Sequence, residues 1–141
     1  MSRLLVQEYL AEIDRLRQWS GSVTEGVISE AFKDLLKAWS RQLGWQFTAQ
    51  FEFASTQRSR IRPDGTIFHA IGLPHGYWEA KDTADDLDTE IGKKLSRGYP
   101  QSNIIFENSE TAVLIQNRAE VFRCKMTAVK PLCRGLNTLL Y

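Results

Sequence analysis

Two carboxylates and one ammonium group stand out in the segment RPDGTIFHAIGLPHGYWEAKD, residues 62–82. Asp64 lies on a Pro-Asp-Gly corner, and Glu79, Ala80 and Lys81 close the next strand-like run. Bringing two acids and an amine together is costly unless a doubly charged species sits among them. A divalent cation held by hard oxygen ligands meets that requirement, and Mg²⁺ so held supplies much of what cleavage of a phosphodiester demands. Strand alternation puts residues 79 and 81 on one face, so Lys81 is expected to point at whatever Glu79 binds while Ala80 turns toward the core. The Ala80 backbone carbonyl is a further candidate metal ligand.

The elements that must position these groups can be read from periodicity. Strand-like runs at 66–71 and 77–81 flank the turn Gly72-Leu73-Pro74-His75-Gly76, a hairpin that would bring Asp64 back beside Glu79. Upstream, Leu4, Leu5, Tyr9, Ile13 and Leu16 predict an amphipathic helix that stops at Ser20-Gly21. A second helix begins near a cap at Ser22 or Thr24, carries the stripe Val27, Ile28, Ala31, Phe32, Leu35, Leu36 and Trp39, and ends at Gly44. Residues 45–53 alternate with period two as a half-buried strand, and 55–62 form a polar basic loop. A helix capped by Thr83 or Asp85 follows and extends to about Gly98, with Leu87, Ile91 and Leu95 on one side. Residues 103–106, 111–116 and 120–124 read as three further strands.

The result is an α/β (α+β) fold with a mixed central sheet flanked by helices. The tail KMTAVKPLCRGLNTLLY ends on an apolar run without a stop signal, which predicts a fragment of a longer protein.

The second helix also offers a third carboxylate, Glu25 or Glu30. They lie about 140° apart around the helix. Glu25 is favoured: it stands in the first turn, where the helix dipole suits an anion, and Ser29, Phe32 and Leu36 continue its inward stripe. Glu30 adjoins Lys33 and Asp34 on what reads as a wet face.

Composition sets the outer limits. The chain has 141 residues, 43% hydrophobic and 25% charged, enough for one core without disulfides. Cys124 and Cys133 have no companion ligand set, which argues against a zinc site or a disulfide scaffold and for a reducing, cytoplasmic setting. No apolar run reaches the length of a membrane span, and the N-terminal segment carries acidic residues through its apolar part, unlike a signal peptide. With a net charge of only +1, attraction to nucleic acid must come from local clusters. His69 and His75 flank a turn and read as surface or packing residues; Trp39, Trp45, Phe47, Phe51 and Phe53 read as core.

With these residues in place, Pro63-Asp64 followed by Glu79-Ala80-Lys81 resembles the PD-(D/E)XK nuclease superfamily. More narrowly, TEGVISEAFKDLL, YWEAKD, the helix ending at Arg97-Gly98-Tyr99-Pro100 and NIIFENSETAVLIQN resemble the N-terminal Mrr-like nuclease domain of Type ISP and related fused restriction-modification enzymes, over roughly residues 20–125. The resemblance implies a restriction-endonuclease-like core at 21–141 behind an N-terminal helix at 1–20. It implies Mg²⁺-dependent cleavage of double-stranded DNA, with Mn²⁺ as a substitute and with two copies meeting for double-strand cleavage as one option. It also implies a C-terminal methyltransferase with a target-recognition region, and it places the helix carboxylate at Glu25. The sequence departs from the family in the helix after the lysine strand: the nearest glutamine, Gln101, falls beyond Pro100. On this reading, DNA phosphates would be met by Arg58, Arg60 and Arg62 on the basic loop and by Lys93, Lys94 and Arg97 on the following helix. The rival reading is a nuclease-like module that binds DNA or docks a partner domain without turnover.

Overall fold

The computed structural model describes residues 2–20, 25–55 and 59–141, the side chains of Ser2, Ser20 and Glu25 excepted. In chain order the elements are α1 (Ser2–Ser20), α2 (Glu25–Gln42), β1 (Gln46–Ala49), β2 (Phe53–Ala54), β3 (Arg60–Ile61), β4 (Gly65–Phe68), β5 (Pro74–Ala80), α3 (Leu87–Ser96), β6 (Asn103–Glu107), β7 (Thr111–Gln116), β8 (Ala119–Lys125) and α4 (Val129–Leu140). Six strands form one sheet in the order β1-β4-β5-β6-β7-β8, and β2 pairs with β3 in a separate ribbon. Every neighbouring pair is antiparallel except β5 and β6, which run parallel and are joined through α3. The α+β class and mixed sheet expected from the sequence are what the chain forms.

Alternation along the strands splits the core in two. Phe47, Ile67, Trp78, Ile105, Ala112 and Leu114 point to the face that α2 and α4 cover. α1 joins the same apolar cluster through Val6, Tyr9 and Ile13, so the N-terminal helix shares the core of the rest of the chain. Ile104, Phe106, Val113 and Ile115 point to the opposite face, covered by Leu87 and Ile91 of α3, by Tyr99 and by Ile61 of the small ribbon. Glu79 falls on this second face by parity with Tyr77, and Ala80 packs on the first.

Several expectations need correction. The strand foreseen over 45–53 ends at Ala49, because Gln50 turns the backbone into the left-handed region (φ 58°) and sends Phe53 into the separate ribbon. Phe51 is therefore 43% exposed rather than core, resting on Phe53 and Phe68. β4 stops at Phe68, where a register shift precedes a turn closed by His69 N–H donating to Leu73 C=O (2.9 Å). α3 is capped by Asp86, which accepts from Thr89 N–H at 3.1 Å, and not by Thr83 or Asp85.

The apolar tail is helical: Leu132, Leu136, Leu139 and Leu140 of α4 are fully buried, and that burial accounts for the run. Two helix-breaking residue types hid it. Pro131 sits in the first turn, where its missing N–H costs nothing, and Gly135 is where Phe122 presses on the helix, so a Cβ would meet its ring at 2.7 Å.

Candidate active site

Asp64 and Glu79 come together as the hairpin reading requires, and hydrogen bonds lock them to one another's backbone. The register pairs Gly65 with Trp78, so Asp64 falls beside the end of β5. Asp64 N–H donates to Glu79 Oε1 at 3.0 Å, and Ala80 N–H donates to Asp64 Oδ2 at 2.8 Å. Each acid thus accepts from the strand that carries the other. The close approach at this corner depends on Gly65: a Cβ there would meet Phe47 Cε2 at 2.5 Å and Trp78 Cε3 at 3.0 Å.

Lys81 is also where sequence parity puts it, with Nζ 3.3 Å from Glu79 Oε2 and its own N–H bonded to Glu107 C=O at 2.7 Å. A second ammonium shares that oxygen. Lys94 of α3 reaches Glu79 Oε2 at 3.2 Å and touches Tyr99, its Nζ 3.4 Å from the hydroxyl and 5.0 Å from the ring centroid. Expected as an open contact for phosphate, Lys94 is instead only 16% exposed, turned inward onto the acid. The signal was present in the sequence: residue 94 lies three beyond Ile91, on the apolar stripe begun by Leu87.

Glu79 is 4% exposed. Burial, followed by the charge of Asp64, holds its carboxyl above the ordinary range, with Lys94 and then Lys81 pulling the other way. On Lys94 burial opposes the charge, but the Glu79 carboxylate, aided by Tyr99, outweighs it and raises the ammonium above its usual value. The two directions are compatible, because Glu79 is the deeper partner and alone faces a second acid. Burial and the charge of Asp64 together outweigh the two lysines in setting the direction for Glu79.

A cleft of about 470 Å³ opens in front of Asp64, walled by Gly26, Ser29, Glu30 and Lys33 of α2, by Gln50, and by Ala80, Lys81 and Asp82. Glu79, bonded to the Asp64 N–H, is not part of this lining. Of the two helix carboxylates, the Glu25 side chain lies outside the described residues. Glu30 does stand on the cleft wall, exposed and paired with Lys33 at 2.8 Å. The face of α2 that reads as wet is therefore wet because the cleft is there.

Hard carboxylate oxygens from two acids held at close quarters, one of them buried, form a donor set of the kind that fits a divalent cation such as Mg²⁺. Among the described residues no third His, Cys, Asp or Glu converges with Asp64 and Glu79, which leaves the Ala80 carbonyl and water as the further oxygen donors of that set.

The basic residues divide. Arg58 lies outside the described residues. Arg60 and Arg62 are exposed, Arg60 paired with Glu52 at 2.9 Å, and Lys93 and Arg97 are exposed on α3. Ser59 Oγ donates to Arg97 C=O at 3.3 Å, which joins the basic loop to the end of that helix. The two histidines pack at the opposite end of β5. His75 Nε2 donates to Leu139 C=O at 3.0 Å, its Nδ1 lies 3.0 Å from His69 Nε2, and both rings sit against Trp45.

No protein-family model matches this sequence, and no curated protein matches it. Among solved structures, the cryo-EM structure of the DrdV–DNA complex contains a segment similar to 97% of this chain, with 36% sequence identity and a TM-score of 0.91. The chain spans 14% of that protein's length. A proposed nuclease of the DUF820 group from Anabaena variabilis shares the fold at a TM-score of 0.50 and 9% identity, over 74% of this chain and 79% of its own. The fold is restriction-endonuclease-like. No helix among the described residues is long and apolar enough to cross a membrane.

Proposed function

We propose that this chain is a Mg²⁺-dependent DNA endonuclease domain of a restriction-modification system, hydrolysing phosphodiester bonds. The observation that carries the reading is the mutual lock of Asp64 and Glu79, with Ala80 and Lys81 following on the same strand and a cleft in front of them. In this reading Asp64, Glu79 and the Ala80 carbonyl hold the metal, which when bound neutralises charge on the scissile phosphate. Lys81 stands on the cleft wall and donates from its ammonium to the attacking water or to a non-bridging phosphate oxygen. Lys94, set back from the cleft, keeps the Glu79 carboxylate aimed forward. Glu25 remains the proposed helix carboxylate, and Glu30 is an alternative from the cleft wall.

DNA as substrate is supported by the DrdV–DNA complex, whose similar segment matches nearly the whole chain. Arg60, Arg62, Lys93 and Arg97 would meet backbone phosphates, joined by Arg58 on the same loop. Such contacts set affinity and register but not sequence choice. The narrower assignment, an Mrr-like domain ahead of a methyltransferase and target-recognition region, rests on the sequence resemblance, and Mn²⁺ is expected to replace Mg²⁺.

The deciding experiment is Asp64→Ala. Plasmid nicking in Mg²⁺ should be lost while the circular dichroism spectrum is kept; retained nicking refutes the assignment. One observation favours the inactive-module alternative: Glu79 Oε2 already lies between two ammonium groups. Calorimetry with Mg²⁺ and Mn²⁺ separates the two, since the module reading requires no heat of binding at millimolar metal.

A further inference from the structure

Gln50 stands in a conformation its residue type rarely takes. Its φ of 58° is left-handed, a region that favours Gly, Asn and Asp and costs other residues about 1–2 kcal/mol. Among the described residues the other non-glycine positions of this kind are Ser109, in the β6–β7 turn, and Asn117 and Arg118, which form the two-residue turn between β7 and β8. Tight reversal accounts for those. Gln50 makes no such hairpin: it follows β1, whose partner in the sheet is β4 and not the next strand in sequence.

What the conformation achieves is contact with Asp64. The β1–β4 register sets Ala49 opposite Gly65, which brings Gln50 level with Asp64. Gln50 N–H donates to Asp64 C=O at 3.2 Å, and its Nε2 donates to Asp64 Oδ1 at 3.0 Å. A carboxylate only accepts, so the amide orientation is fixed by chemistry. The remaining oxygen, Oδ2, is held by Ala80 N–H. Both oxygens of Asp64 are thereby tied down from opposite sides, one by backbone and one by a side chain on the cleft wall.

We propose that Gln50 is a positioning residue that orients the Asp64 carboxylate for the divalent cation, an inference that rests on the metal-dependent nuclease reading. Asparagine or glycine would suit the left-handed backbone better, but asparagine is one methylene shorter and glycine has no amide. The glutamine is explained by the reach of its side chain.

The test is Gln50→Gly, which accepts the left-handed backbone and removes the side chain with its amide, with Gln50→Asn as a second variant that keeps an amide too short to reach. Mg²⁺ affinity is measured by calorimetry, nicking is followed against Mg²⁺ concentration, and thermal midpoints are recorded. Relief of the left-handed strain should leave both variants at least as stable to heat as the wild type, and both should bind Mg²⁺ about tenfold more weakly, the usual effect of losing a group that orients a metal ligand. Half-saturation of nicking should shift by the same factor while the rate at saturating Mg²⁺ is retained. Unchanged Mg²⁺ affinity in both variants, or affinity and melting temperature falling together, overturns the inference while leaving the nuclease reading intact. A wild-type protein that binds no divalent ion overturns both.

Discussion

Replacing Gly65 by alanine should damage the fold and the proposed active site at once. The added methyl would come within 2.5 Å of Phe47 Cε2 and 3.0 Å of Trp78 Cε3. Neither ring can swing into solvent, since Phe47 is 7% and Trp78 3% exposed and both belong to the core under α2. Overpacking of this kind costs about 1–3 kcal/mol, partly offset by about 0.4–1 kcal/mol from a less flexible unfolded chain. The middle of those ranges leaves a net loss of about 1.3 kcal/mol, which at roughly 3 °C per kcal/mol for a chain of this size lowers the melting temperature by about 4 °C. The relief available to the backbone is to move the Asp64-Gly65 corner away from β5, which lengthens the bond from Ala80 N–H to Asp64 Oδ2. Misplacing a reacting group by an ångström costs on the order of 10²-fold in rate. Thermal denaturation and plasmid nicking, run on the same preparation, measure both effects. A Gly65→Ala protein that melts and nicks like the wild type refutes the claim that this glycine sets the distance between the two acids.

Two further outcomes follow from charge. Glu79, flanked by Asp64, Lys81 and Lys94, has a folded-state value raised above its ordinary 4.5. The native state therefore binds that proton more readily than the unfolded chain does; the associated stability is full below about pH 4.5 and is lost as pH rises through the folded value. Asp64→Asn removes the neighbouring charge, so urea midpoints from pH 4.5 to 8 should fall less steeply than in the wild type, and parallel curves would refute the coupling. Reversing charge with Lys93→Glu and Arg97→Glu should weaken DNA binding across sequences and flatten its salt dependence by about 0.9 log unit for each phosphate no longer neutralised; an unchanged slope removes this face from the interface.

Much of the site was legible because its geometry is local. Asp64 and Glu79 are joined by a single hairpin, and parity alone puts Lys81 with Glu79 and Ala80 with the core. What escaped depends on long-range pairing. Lys94 reads as a surface charge until α3 is laid across the sheet, when its place on the Leu87–Ile91 stripe turns it inward. Gln50 continues a period-two pattern in the sequence, and only pairing of β1 with β4 exposes its left-handed turn as a contact to Asp64. α4 was hidden by Pro131 and Gly135, one harmless in a first helical turn and the other required by Phe122. The fold class survived these misses because β6 and β7 are short apolar runs, rich in β-branched residues and bounded by turn sequences, which is how a strand buried on both faces reads.

The parallel pairing of β5 with β6 ties competence to topology. The acids can meet as soon as one hairpin closes, an early and inexpensive event in a growing chain. Lys94 arrives only when the crossover helix has been laid down and β6 has docked beside β5, a step that closes a far longer loop. A partly unravelled chain therefore carries the two acids without the Lys94 ammonium that meets Glu79 in the finished fold.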